Sequence, residues 1–303
     1  PHHKKIIDPL SGAADITAKT LRMVSYQNLA TDPLRLMRAY RQAAQLGFSV
    51  EGTTQQAIKE LAPKLPNISM ERIRSELDGI LSVEKSAAQL NAILENQLLS
   101  FCLPHFDSDS ITQVEAIEQA MTQLKKNLPS YAHRLYQWHK PVPNGFNRSW
   151  IKATKLSRLL CTHPNIANKE LTNLKYSRSE IRLITTLIKA QHWLDCFHSG
   201  LLSRAQQFFL FKATGEAFPA LSLLALAQGI PFAGVKPLIS RFLDEEDAIA
   251  HAPTLVTGNL LMNKLDIPPC PNIGQLLKAA EHAQAKGEIL TEADAIAWVQ
   301  AQT

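Results

Sequence analysis

Apolar residues recur at steps of three and four along most of this 303-residue chain. Two segments show the pattern clearly, with apolar residues at Leu90, Ile93, Leu94, Leu98 and Phe101 and at Ile181, Ile184, Leu187 and Ile188. This spacing places the apolar side chains on one face of an α-helix, so each segment predicts a helix with a buried stripe. Proline and glycine clusters such as LAPKLPN and DIPPCPNIG divide the chain into helices of ordinary length.

Strand character is confined to about the first 25 residues, where β-branched residues and alternation occur. We therefore predict a mainly α fold, with a short N-terminal β remnant followed by an all-helical array packed in successive small bundles. With 45% apolar and 19% charged residues, the chain has enough apolar sequence for two or three compact cores.

The four cysteines are scattered, without the paired spacing of a zinc site or a disulfide framework. We expect a reducing compartment, the cytoplasm, and no metal ion bound by this chain. No apolar run approaches the roughly 20 residues that a membrane-spanning helix needs, so no membrane partner is expected. Lys and Arg total 32 against 27 Asp and Glu, and the net charge of +5 is compatible with a nucleic-acid partner.

The stretch LATDPLRLMRAYRQAAQLGFSV, residues 29–50, contains the most informative spacing. Thr31 and Asp32 are N-cap residue types and Pro33 suits the first helical position, so a helix is predicted to begin here. Residues three apart lie on one helical face, so Asp32 and Arg35 can place a hydrogen-bond acceptor beside a forked donor. Such a pair can match the Watson–Crick edge of cytosine or adenine. The alternative is a capped core helix whose arginines point to water.

Three stretches, IIDPLSGAADITAKTLR, TDPLRLMRAYRQAAQLGF and ISMERIRSELDGIL, follow each other in an order that resembles one enzyme family. They resemble the head-to-neck junction of class II tRNA nucleotidyltransferases and bacterial poly(A) polymerases. The stretch LVTGNLLMNKLDIPPCPNIGQLLKAAEHAQAKGEILTEADAIAWV is similar to the C-terminal segment of the same family. The resemblance covers essentially the whole chain and is strongest over residues 5–85 and 250–300.

This resemblance implies a role for individual positions. The family's E-D-x-x-R motif, which selects CTP or ATP without a nucleic-acid template, falls on Thr31, Asp32 and Arg35. Thr31 replaces the usual acidic residue, which puts its support of the arginine in doubt. Arg38 and Arg41 match the basic positions that continue the same helix, and we assign them to nucleotide binding.

The family's E-R-I-x-x-E-L motif falls on Glu71, Arg72, Glu76 and the leucine that follows. Ser69 is an N-cap residue type, and Arg72 and Glu76 are four residues apart, the spacing of a pair that braces a helix. We therefore predict a structural role for this motif in the neck rather than a direct part in catalysis.

The family's catalytic β-sheet head, which holds two metal ions through a D-x-D pair, is mostly missing from the chain. Asp107 and Asp109 form a D-x-D, but they follow the base-selecting motif and lack a preceding Gly-Ser, which indicates a helix N-cap. Pro164 after His163 replaces the metal-binding His-Asp pair of some relatives. The resemblance implies that ATP and CTP are substrates, that Mg²⁺ is bound by the missing head, and that this chain alone is inactive.

Two groups of basic residues are the predicted RNA contacts. Lys152, Lys155 and Arg158 are spaced for one helical face. Arg134 and Arg148 lie near aromatic residues, namely Tyr136, Trp138, Phe146 and Trp150, with Lys140 among them. Cations interleaved with aromatic rings suit phosphate contact and base stacking, although such rings are also common in protein cores.

The resemblance divides the chain into the end of the head (1–26), a base-recognising neck (27–100), a helical body (101–205) and an RNA-binding tail (206–303). The predicted function is template-independent addition of C, A or both to the 3′ end of tRNA, with body and tail gripping the acceptor stem and elbow. A poly(A) polymerase of the same family and a free-standing helical RNA-binding module without catalysis are the alternatives. The sequence gives no indication of the oligomeric state.

Overall fold

The computed structural model describes residues 7–138, 148–198, 202–265 and 271–302. The chain forms two compact units, Pro1–Lys189 and Ala190–Thr303. Within the described residues the regular structure is helical apart from two short strands, which confirms the predicted mainly α fold with a small N-terminal β element. The division into head, neck, body and tail stays a prediction.

The first unit begins with short elements and continues with longer helices. Its helices are α1 (Gly12–Thr17), α2 (Tyr26–Thr31), α3 (Leu34–Leu46), α4 (Gly52–Leu61), α5 (Met70–Leu81), α6 (Ala87–Glu95), α7 (Ser108–Asn127), α8 (Pro129–Arg134), α9 (Trp150–Arg158), α10 (Pro164–Asn173) and α11 (Arg178–Lys189). Strands β1 (Thr20–Leu21) and β2 (Ser49–Val50) pair in parallel, with Thr20 opposite Ser49. A 3₁₀-helix, Ala62–Asn67, follows α4.

Helix α3 forms the core of the region that contains the E-D-x-x-R positions. Its Leu36, Met37 and Tyr40 are fully buried, and the helix packs against α5 and α6. Helix α5 in turn buries Ile73 and Leu77. Because charged residues alternate with these buried positions, the polar side chains of α3 and α5 meet at the edge of the helix pair.

Helix α9 is buried along almost its whole length. Every residue from Ile151 to Arg158 is buried, and the helix packs against α5, α7 and α11. A helix enclosed on several sides must bury its polar residues too, so each of them needs a partner inside the protein.

The second unit contains α12 (His192–His198), α13 (Arg204–Thr214), α14 (Phe218–Ala227), α15 (Phe232–Leu243), α16 (Gly258–Leu265), α17 (Pro271–Lys286) and α18 (Glu292–Gln300). Contrary to the expectation from sequence, one stretch of the described chain, Arg204–Ala227, has the length and apolar composition of a membrane-spanning helix. However, 72% of its apolar window is buried inside the fold. The core helix of a folded protein passes the same test, so this stretch is weak evidence for a membrane span.

Candidate functional site

The turn between α2 and α3 positions the predicted base-reading pair. Asp32 follows the last residue of α2 and has an extended backbone (φ −131°, ψ 90°), as expected for a residue before proline. Its carbonyl accepts a hydrogen bond from the backbone N–H of Arg35 at 3.0 Å. The predicted side-chain cap is wrong, because Pro33 occupies the N-cap position and Thr31 belongs to α2. The Asp32 carboxylate is therefore free of a capping role.

Asp32 and Arg35 lie side by side, as their spacing predicts. The Nε atom of Arg35 is 3.8 Å from Oδ2 of Asp32, and the two side chains are 38% and 26% exposed respectively. One Nη of Arg35 donates to the backbone carbonyl of Asn28 at 3.3 Å and also to the Asn28 side chain. One arm of the guanidinium is thus anchored, while the pair remains accessible to solvent.

Helix α5 supplies a second set of charges to the same edge. Arg72 places Nη2 3.4 Å from Oδ1 of Asp32, so that this carboxylate lies between two guanidinium groups. Glu76, only 7% exposed, accepts from Nε of Arg38 at 3.1 Å and from Nε of Arg41. A buried carboxylate shared by two arginines fixes the facing surfaces of α3 and α5.

The E-R-I-x-x-E-L positions therefore differ from expectation in one respect. Arg72 and Glu76 do not brace α5 by pairing with each other, since both reach across to the α2–α3 segment. The close packing of α5 on α3 brings those partners nearer than the next turn of the same helix. Ser69 is at the N-cap of α5, as predicted, although its side chain makes no capping bond, and Glu71 is exposed in the first turn.

Two participants in this arrangement lie outside the motif positions. Asn28, which anchors Arg35, lies seven residues before it on the other side of a helix break. Gln45 accepts a hydrogen bond from Arg41. The Gln45 contact follows the four-residue helical spacing and was open to prediction, whereas the Asn28 contact depends on the angle of the α2–α3 turn.

The predicted basic patch on α9 is corrected by the structure. Lys152, Lys155 and Arg158 are 3%, 0% and 8% exposed, and no phosphate can reach them in this fold. Lys155 donates to Glu118 at 2.7 Å, to the carbonyl of Val83 at 2.9 Å and to Ser86 at 3.1 Å. Burial lowers the pKa of Lys155, and the Glu118 carboxylate opposes that shift.

The other two cations of α9 are held differently. Lys152 lies between Asp78, at 3.1 Å, and Glu180, at 3.4 Å. Arg158 has neutral partners, Ser157 at 3.2 Å and Gln113 at 3.3 Å. Burial lowers the pKa of Arg158 to about 10. These side chains stabilise the helix array and do not form a binding surface.

The second predicted RNA group is only partly described. Arg134 is exposed on α8, while Arg148 pairs with Glu180 at 3.6 Å. Trp138 is buried, and Tyr136 donates to Glu84 at 3.1 Å. Lys140 and Phe146 lie outside the described residues. The RNA contacts of Arg134 and Arg148 stay predictions.

The D-x-D of the chain caps a helix. Asp107 is the N-cap of α7 and accepts from the backbone N–H of Ser110 at 2.9 Å, as predicted, and Asp109 accepts from Gln113 at 2.7 Å. His163 is the N-cap residue of α10, with Pro164 in its first turn. In the part of the chain that the structure describes, no group of three or more His, Cys, Asp or Glu could hold a metal ion.

Two family models match the chain. Residues 47–110 match a model described as the probable RNA and SrmB-binding site of polymerase A. Residues 149–299 match a model described as tRNA nucleotidyltransferase domain 2, putative. The first match includes the α5 residues of the site, and the second covers α9 and the second unit up to residue 299.

Curated relatives match over nearly all of the chain. A CC-adding tRNA nucleotidyltransferase from Synechocystis sp. is 33% identical over 299 residues, which cover 98% of this chain and 70% of that protein. An A-adding tRNA nucleotidyltransferase from Deinococcus radiodurans is 28% identical, covering 98% of this chain and 74% of that protein. A CCA-adding enzyme from Lactiplantibacillus plantarum is also 28% identical, and the chain covers 65% of its length.

Solved structures share the fold. The Bacillus stearothermophilus CCA-adding enzyme in complex with CTP aligns with a TM-score of 0.68 at 22% identity, covering 98% of this chain and 68% of that one. The Thermotoga maritima CCA-adding enzyme complexed with tRNA aligns with a TM-score of 0.58 at 18% identity, covering 96% of this chain and 66% of that one.

Proposed function

The chain belongs to the class II tRNA nucleotidyltransferase family, and from this premise we propose that it selects the nucleotide and binds tRNA in an enzyme that adds C, A or both to the 3′ end of tRNA. One observation carries the proposal: the accessible carboxylate of Asp32 lies beside the guanidinium of Arg35, 3.8 Å apart, at the start of α3. The proposed reaction follows from the family, and the proposed selection of the nucleotide base follows from this pair.

The chemistry of the pair favours cytosine and adenine. Each of these bases has an exocyclic amine, which can donate to Asp32, next to a ring nitrogen that can accept from Arg35. Uracil and guanine present a carbonyl and a ring N–H at the same places, so each would face a group of the wrong polarity. Arg72 contacts Asp32 and Asn28 contacts Arg35, and these contacts keep the two side chains of the pair side by side.

The basic positions after the pair complete the proposed nucleotide site. Arg38 and Arg41 share the buried carboxylate of Glu76, which keeps both on the α3 edge. Arg38 is the more exposed of the two and is proposed to face the bound nucleotide. Thr31 is uncharged, so it cannot supply the charge of the acidic residue that it replaces, and its hydroxyl donates to the carbonyl of Gln27 at 2.8 Å.

ATP and CTP are the proposed substrates, and Mg²⁺ the proposed metal. Because the family holds its metal ions through the D-x-D pair of its catalytic head, we assign Mg²⁺ and the triphosphate to that head. We further propose that residues 27–100 act as neck, 101–205 as body and 206–303 as tail on the acceptor stem and elbow of tRNA, in the cytoplasm.

A poly(A) polymerase activity is the second candidate, because the model matched by residues 47–110 is described for polymerase A. The two activities leave different products. The substrates are tRNA transcripts that lack CCA, CA or only the final A at the 3′ end. The enzyme with its catalytic head is expected to add at most three nucleotides to them and then stop. Gel analysis and sequencing of the product ends measure this.

The control for this experiment is the 303-residue chain by itself, which is expected to extend none of the transcripts. Tails longer than three nucleotides would replace the proposed function by polyadenylation. Extension by the chain alone would mean that it contains a catalytic site.

A further inference from the structure

The turn between α10 and α11 has an unusual residue at its left-handed position. Lys175 has φ 61°, a conformation that favours glycine or asparagine. The backbone N–H of Tyr176 donates to the carbonyl of Leu171 at 3.0 Å, and that of Lys175 donates to Thr172 at 3.0 Å. These two bonds form the Schellman motif that ends a helix. The motif fixes the backbone of this turn, here called the corner, in a strained conformation and leaves the Lys175 side chain exposed.

Helix α5 ties this corner to the nucleotide-selecting edge. Arg74 donates from Nη1 to the carbonyl of Lys175, and its guanidinium lies 5.6 Å from the ring centroid of Tyr176. The hydroxyl of Tyr176 donates to buried Asp78 at 2.8 Å. Arg74 is two residues from Arg72, which contacts Asp32. The corner is therefore fixed next to the helix that carries part of the proposed nucleotide site.

Two acidic residues behind this corner are directed into the protein. Asp78 and Glu180 are buried and pair with Lys152, and Glu180 also pairs with Arg148. Burial raises the pKa of Asp78, and the ammonium of Lys152 opposes that shift. These carboxylates are engaged inside the fold and shielded from the surface.

The cations outside them have no such partner. Lys175, Arg178 and Arg182 are exposed, and among the described residues none of them has a carboxylate within ion-pair distance. The arginines of the α3 edge, in contrast, are each paired with Asp32 or Glu76. Arg178 and Arg182 are one helical turn apart, which spaces them by about 6 Å along α11. Their charge remains available to an external anion.

We propose that Arg74, Lys175, Arg178 and Arg182 form a phosphate-binding surface for the RNA backbone, here called the α11 ridge. The proposal rests on the proposed function for the identity of the RNA, which is the tRNA substrate.

RNA fits this surface better than an acidic protein does. Guanidinium forks repeated at a helical step suit a polymer of regularly spaced phosphates. A protein partner would require an aromatic or apolar anchor at the centre of the contact, and the aromatic ring at this corner, Tyr176, is buried.

The test measures how tightly the 303-residue chain binds a tRNA transcript without its CCA end over a series of salt concentrations. The variant Lys175→Asn/Arg178→Gln/Arg182→Gln removes three charges and keeps Arg74, which holds the corner. Its affinity is expected to fall at least about tenfold near 0.1 M salt, since phosphate contacts dominate such binding. The plot of log affinity against log salt has a negative slope, and this slope should become less steep by about 2 to 3 in the variant. Each of the three lost phosphate contacts contributes about 0.7 to 0.9 to the steepness.

The matched control is Lys64→Gln/Lys85→Gln/Lys126→Gln, which changes the net charge equally at exposed positions elsewhere in the first unit. An equal loss in the control would overturn the ridge, since net charge alone would then account for binding. If the ridge variant binds like the unchanged chain, the ridge is refuted while the proposed function stands. If the unchanged chain binds poly-glutamate but no tRNA, both the ridge and the proposed tRNA partner are refuted.

Discussion

Lys155→Met is expected to lower the free energy of unfolding of the first unit by about 3 to 5 kcal/mol, the effect of removing one member of a buried ion pair. The ammonium of Lys155 is completely buried and satisfies acceptors on two segments, the connection between α5 and α6 (Val83 and Ser86) and α7 (Glu118). Methionine preserves most of the side-chain volume, so the loss reports charge and hydrogen bonds rather than a cavity. It leaves Glu118 and the carbonyl of Val83 without their cationic partner. Urea denaturation followed by circular dichroism measures the change.

Two further variants identify the cause of that loss. Lys155→Met/Glu118→Gln should recover part of the stability, because the remaining buried charge is then removed as well. Lys126→Met, on an exposed position of α7, should change the free energy of unfolding by no more than about 0.5 kcal/mol. A loss of similar size in Lys126→Met, or none in Lys155→Met, would show that the buried network on α9 does not stabilise the unit.

Arg35→Ala in the enzyme with its catalytic head is expected to reduce discrimination of CTP and ATP from UTP and GTP by about ten- to a hundredfold, the 1 to 3 kcal/mol of a good bidentate base contact. The fold should change little, because Arg35 is partly exposed and its polar partners among the described residues are Asn28 and Asp32 at the surface. Single-turnover incorporation of each nucleotide, measured alongside thermal melting, separates the two effects.

Arg22 offers a matched control for that experiment. It is an exposed arginine that also pairs with an aspartate, Asp15, at 3.1 Å, and it follows β1 rather than belonging to the α2–α3 turn. Arg22→Ala should leave nucleotide selection unchanged. If Arg35→Ala keeps its selectivity but melts at a much lower temperature, the arginine is a structural brace and the proposed role is wrong.

Local spacing was enough to predict the helices and the Asp32–Arg35 pair. Both depend on interactions within a few residues, namely apolar periodicity, the break before Pro33 and the three-residue step to Arg35. The Asp107 cap was predictable for the same reason, since its partner Ser110 is three residues away. Sequence reasoning succeeds where the partner of a residue is close along the chain.

The burial of the α9 cations could not be predicted from local spacing. The spacing of Lys152 and Lys155 fits an exposed basic face equally well, and only tertiary packing brings Asp78, Glu118 and Glu180 to them. These partners lie on α5, α7 and α11, tens of residues away. A buried carboxylate supplied by another helix leaves no periodic signal, so the sequence pattern predicts an RNA-binding surface where the structure forms a buried network.

Asp32 and Arg35 are proposed to select a base by the polarity of its edge, and a base analogue tests this role most directly. The measurement is kcat/KM of the enzyme with its catalytic head for CTP and for a CTP analogue without the exocyclic 4-amino group, in the unchanged protein and in Asp32→Ala. Because the Asp32 side chain does not cap α3, its removal should leave that helix intact. The unchanged enzyme is expected to prefer CTP by about ten- to a hundredfold, and Asp32→Ala should lose that preference. An equal preference in both proteins would contradict the account.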